Sequence, residues 1–196
     1  MQPPEPFQII DYQDRAKEGK IPEWVDSYLA EGIRGVENIP EFQNKYVFIG
    51  LSEGVNFNAL SQWEEAFSPA QDLARLIAFR IGARFTTAVQ SDPDDTYGEF
   101  FETMIKGASD AQYQGAVKET GFWILRLSPA KETDEESEEQ EVNREVYDFL
   151  VLISIDKKQL ESQINAIFNA AKENINPRKD QAAAINRIGE NFFEGF

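Results

Sequence analysis

The sequence predicts an α+β fold: a three- or four-stranded antiparallel sheet with amphipathic helices packed on it and extra helices at the C-terminus. Three features of its 196 residues carry that expectation. Short β-prone runs at residues 46–51, 122–127 and 146–155 are bounded by polar or glycine residues. Between and after them, apolar residues recur at helical spacing behind cap signatures. A hydrophobic content of 41%, with 15 Phe, 6 Tyr and 3 Trp, supplies a core that a disordered chain lacks even at a net charge of −16.

In chain order, residues 1–20 are Pro-rich and then charged, which reads as a tether or a loosely docked strand. Residues 21–196 read as a single α+β domain. Ile21-Pro22-Glu23-Trp24 opens a short helix that carries Trp24, Val25, Tyr28 and Leu29 on one face and stops at Gly32. Ile39-Pro40-Glu41-Phe42 echoes this opening and reads as a Pro-led turn pinned by a buried aromatic. The continuous apolar run at 46–51 is expected to be a central strand buried on both faces. A turn and a short helix around Leu60, Trp63 and Phe67 follow.

Ser68-Pro69-Ala70-Gln71 combines a Ser cap, Pro at the first helical position and Gln three residues after the cap. The helix it starts should run to about Val89 and bury Leu73, Ala74, Ile77 and Ile81. A second helix is expected from a Thr96/Glu99 capping box, with Phe100, Phe101, Met104 and Ala108 inward. In the strand at 146–155, the odd-numbered residues Tyr147 to Ile155 should face the core while Asp148 and Ser154 point away. It should pair with the strand at 122–127 across residues 131–142, a mobile acidic hairpin loop. Asp156 caps the next helix, Asn176-Pro177 interrupts it, and residues 177–196 form a helical appendage ending in an aromatic tail.

The sequence has no Cys and no His, which removes thiolate nucleophiles, disulfides, Cys/His zinc sites and imidazole bases. With 35 acidic against 19 basic residues and no recognition motif, nucleic acid is not an expected partner. No apolar run approaches the roughly 20 residues of a membrane-spanning helix. The first residues lack a signal peptide's basic and apolar regions, so the expected location is cytoplasmic unless a leader was removed.

Chemistry-bearing patterns are sparse, and neither a cofactor nor a catalytic set is expected. Ser128-Pro129-Ala130-Lys131 fits Ser-x-x-Lys, but it lies where a strand runs into the loop and lacks its companion motifs. Asp92, Asp94 and Asp95 resemble the opening of a calcium loop, yet Tyr97 stands where that loop needs Gly. A metal-assisted hydrolase built on them is the remotest reading. Trp24 and Trp63 are candidate ligand or partner contacts, and with Trp123 they are the possible stacking platform of a glycan-binding module. Arg80 and Arg84, at the edge of a buried helix face, are candidates for anion recognition. Phe193 and Phe196 are candidates for a partner-binding tail, against docking on the chain's own body.

In order, the stretches Pro22-Glu23-Trp24-Val25, Tyr46-Val47-Phe48-Ile49-Gly50, Ala74-Arg75-Leu76-Ile77-Ala78 with Ala83-Arg84, Phe122-Trp123, Tyr147-Asp148-Phe149-Leu150-Val151-Leu152 and Ile155-Asp156-Lys157 cover about residues 21–172. This succession resembles the twenty-kilodalton family of small bacterial outer-membrane lipoproteins. More remotely, it is similar to lipoprotein activators of penicillin-binding proteins and to the N-terminal domain of a flagellar assembly protein. The resemblance implies an α+β fold, a lipid anchor on a Cys that this sequence does not contain, and a periplasm-facing, non-enzymatic role in envelope assembly with envelope proteins as partners.

Overall fold

Strands β1 (Gln8–Tyr12), β2 (Lys45–Gly54), β3 (Val117–Lys131) and β4 (Glu141–Asp156) form one antiparallel sheet in the order β1-β3-β4-β2. They are seen in a computed structural model that describes residues 8–91, 95–131, 141–177, 182, 186 and 193; within these, the side chains of 84–91, 95–97, 129–131 and 141–142 are not described. The acidic loop expected at 131–142 therefore falls mostly outside the described residues. Contacts gather Met1–Pro40, Val47–Phe67 and Lys118–Ile153 into one unit, and Glu41–Tyr46, Ser68–Val117 and Ser154–Phe196 into another.

In the first unit the two longest strands, β3 and β4, lie in the middle of the sheet. The expectation that the run at 46–51 is central is overturned, because among the described strands β2 lies at the edge beside β4. Its apolar run signals burial, and Tyr46, Val47 and Phe48 are indeed buried in succession. Burial of both faces says nothing about how many strand neighbours a strand has. On β4 the side chains alternate as expected, Tyr147 and Phe149 toward Phe57 and Asp148 toward Arg126 on the other face, but the second face is not open: every residue from Asp148 to Ile155 is buried, Asp148 and Ser154 included. A central strand covered on both faces reads as a continuous run, and two polar residues within it mimic a solvent face.

The stretch read as a tether or docked strand contains β1, antiparallel to β3 with Tyr12 opposite Ile124 and a bulge between Ile9 and Asp11. Tyr12 stacks on Phe122 at 6.4 Å and donates its hydroxyl to the Gly19 carbonyl at 3.2 Å. The Arg15 guanidinium donates to the Ile10 carbonyl, which fastens the bulge.

Helix α1 (Glu23–Glu31) starts after Pro22 and ends at Gly32, whose φ of 69° few other residues adopt and whose N–H donates to the Tyr28 carbonyl. The five-residue α2 (Ile33–Glu37), absent from the sequence reading, follows at once. Gly35 of α2 is buried against the Ser27 carbonyl of α1. Helix α3 (Phe57–Glu65) is capped by Asn56, whose side chain accepts from the Ala59 N–H at 3.1 Å. It crosses one face of the sheet: Leu60 lies over Gly54, Glu64 occupies the space a Cβ on Gly121 would take, and Lys118 donates to the Glu64 carbonyl at 2.8 Å. Just beyond it, the Phe67 ring fills the space above Gly50.

The second unit is built on α4 (Pro69–Ser91), α5 (Asp95–Asp110) and α6 (Lys157–Ile175), with α5 packed against both others. Helix α4 begins at Pro69 as its cap signature predicts, and it buries Leu73, Ala74, Ile77 and Ile81. Helix α5 already includes Thr96, one residue inside its start, and presents the expected Phe100, Phe101, Met104 and Ala108. Phe100 meets Phe168 of α6 edge-on at 5.3 Å, and Gly107 lets Ile167 approach. Asp156 accepts from the Gln159 N–H at 3.1 Å and so caps α6, which ends at Asn176 in a left-handed conformation.

Tyr113, 1% exposed, has a hydroxyl with no hydrogen-bond partner among the described residues, and burial pushes its pKa far up. A buried hydroxyl without a partner costs about 1–3 kcal/mol. Tyr113→Phe keeps the ring and removes the oxygen, so denaturant unfolding should find the variant as stable as the parent, or more stable by about 1 kcal/mol. A clear loss of stability would mean that the hydroxyl is held.

Candidate functional site

The largest departure from an apolar core is a group of three ionised side chains on adjacent strands. Arg126 of β3 grips Asp148 of β4 in a fork, Nε to Oδ2 at 2.6 Å and Nη2 to Oδ1 at 3.1 Å. The same Nη2 donates to Glu53 Oε2 of β2 at 2.9 Å. Side-chain exposure falls from 64% at Glu53 to 16% at Arg126 and 10% at Asp148, so the outer carboxylate is wet and the inner pair is nearly dry. The hydrogen bond to Asp148 holds the guanidinium charged, above its usual range. Burial raises the Asp148 pKa and Glu53 adds to this, against the lowering effect of Arg126. The two directions are compatible: Asp148 loses more hydration than its partner returns. Tyr28 of α1, raised mainly by its own burial, also feels the Asp148 charge.

Chemically this group is a clamp. Arg126 meets two carboxylates at once, and the planar fork suits a carboxylate held in a fixed geometry. It ties three strands together.

Solvent-facing apolar surface is concentrated elsewhere. Five large apolar side chains are exposed among the described residues, and three of them, Leu51, Val55 and Phe57, lie within seven residues of chain where β2 passes through a turn into α3. Phe57, 37% exposed, joins an aromatic cluster, edge-on to Trp123 at 5.4 Å, Tyr147 at 5.2 Å and Phe149 at 5.3 Å. Phe149 is buried, whereas Trp123 and Tyr147 are half-buried. An aromatic cluster with a buried base and an accessible rim, entered by the chain just after Val55 at about half exposure, forms an apolar patch at the β2–α3 corner, whereas Leu51 shares the strand parity of Glu53 and lies on the other face of the sheet from Gly50.

The six residues singled out from sequence divide between the units. Trp24 and Trp63 belong to the first, and Arg80, Arg84, Phe193 and Phe196 to the second. Trp24, 7% exposed, is core, while Trp63 is half-buried and edge-on to Phe67 at 5.3 Å. Arg80 is half-buried, the side chain of Arg84 is not described, and Phe196 lies outside the described residues. Phe193 stacks on Tyr46 at 6.1 Å; Tyr46 also donates to Glu161 at 2.9 Å and lies under the Lys157 ammonium at 5.6 Å. That part of the tail docks on its own unit.

Ser128 and Lys131 both fall within β3, not at a helix start. Asp92 and Asp94 lie outside the described residues, and no group of three metal-ligating side chains occurs among those described. No described helix is long and apolar enough to cross a membrane.

The residues that sequence reading passed over had signals of their own. Arg126 and Asp148 are single charges of opposite sign, each embedded in an apolar strand, which is the signature of a buried pair. Val55 and Phe57 alternate with Asn56 and Asn58, placing apolar side chains in turn chemistry that normally carries polar ones. Comparisons with protein-family models, curated proteins and solved structures returned no match.

Proposed function

We propose that this chain is a non-enzymatic cell-envelope protein of the lipoprotein-like kind, acting as a protein–protein interaction or assembly domain through its β2–α3 corner. The observation that carries the reading is the exposed Phe57 on the rim of the Phe57–Trp123–Tyr147 aromatic group, two residues after the exposed Val55. Exposed aromatic and aliphatic residues around a rigid buried base have the composition of an interface anchor. Among the described strands, β2 stands at the sheet edge beside the same corner. The envelope setting rests on the ordered motifs over residues 21–172, and the non-enzymatic part on a sequence without imidazole or thiol groups.

A second reading, a glycan or small-ligand module, is favoured by the half-buried rings of Trp123 and Tyr147. Their edge-on packing, at 5.8 Å from each other, leaves less flat ring surface than a sugar stacks upon, so the protein partner is preferred.

One capture experiment on bacterial envelope extracts tests both. The intact chain should retain a discrete protein, and a Val55→Glu variant with unchanged thermal stability should lose at least about ten-fold of it, as expected when 1.4 kcal/mol or more of anchor energy goes. Retention of glycan alone would favour the second reading. Equal capture by both forms would remove the corner from the mechanism.

A further inference from the structure

We draw no further inference here: the strongest candidate, the groove of about 450 Å³ between α1 and α2 lined by Glu23, Asp26 and Glu31, is an acidic cluster, and nothing in the structure shows what occupies it.

Discussion

Arg126→Met is expected to cost about 3–5 kcal/mol of folding stability at pH 7, with the loss shrinking as the solution is acidified towards pH 5. The substitution keeps an unbranched side chain in the slot but leaves Asp148 nearly dry and without its fork. A buried carboxylate that loses its cation is destabilising by that order, far above the loss from an exposed pair. The pH dependence has a definite sign. Asp148 already has a pKa above its ordinary value because burial outweighs the guanidinium, and removing the guanidinium takes away the one influence that lowers it. Its folded pKa then lies further above the unfolded value, so the folded state binds the proton more tightly. The stability from that bound proton is present at low pH and is lost as pH rises through the folded pKa. Urea unfolding of parent and variant at both pH values reads the effect, since the carboxylates that Arg126 does not touch cancel in the difference and the Glu53 variant below covers the one that it does.

Two companion variants sharpen the point. Arg126→Met/Asp148→Leu should recover most of the loss, because a buried ion pair exchanged for apolar groups of similar volume is close to neutral. Glu53→Gln should change stability by no more than about 1 kcal/mol, as its carboxylate is mostly in water. A pH-independent loss in Arg126→Met would mean that packing, and not charge, holds these strands together.

The second large effect is expected at Gly35. By helix propensity alone, Gly→Ala stabilises by up to about 1 kcal/mol. At Gly35 a Cβ would meet the Ser27 carbonyl oxygen and would lie 3.0 Å from its carbon, and both atoms are backbone that cannot swing aside. Overpacking of this kind costs about 1–3 kcal/mol, so Gly35→Ala should be destabilising by about 2 kcal/mol and should lower Tm by roughly 4–8 °C. Gly98 of α5 is the internal control. A Cβ there meets nothing within 4 Å, so Gly98→Ala should hold or raise Tm. If both variants moved Tm in the same direction, the close crossing of α1 and α2 would not be what Gly35 is for.

What the sequence made legible was local. Ser68-Pro69 announces α4 because a cap and a preset φ act within one turn, and Asp156 announces α6 for the same reason. Gly32 marks the end of α1 through its own φ. What stayed hidden depends on partners far along the chain. The edge position of β2 is a property of which strand lies beside it, and an apolar run looks the same at the edge or in the middle. The burial of Asp148 on the face opposite Phe149 goes with Arg126, 22 residues away, which also holds Glu53 on a third strand. The β2–α3 corner escaped for a related reason: the three Trp residues and the Arg-bearing helix stand out by residue type, whereas the exposure of Val55 and Phe57 follows from where α3 begins to cover the sheet.

The most direct measurement is hydrogen–deuterium exchange on the full chain, free and bound to the protein it retains from envelope extracts. Slowed exchange across residues 55–57 and the part of β4 near Tyr147, with the rest of the chain unchanged, is the predicted result. Unaltered exchange there, with protection appearing instead along α1 and α2 or α4, would contradict the assignment of contact to the β2–α3 corner.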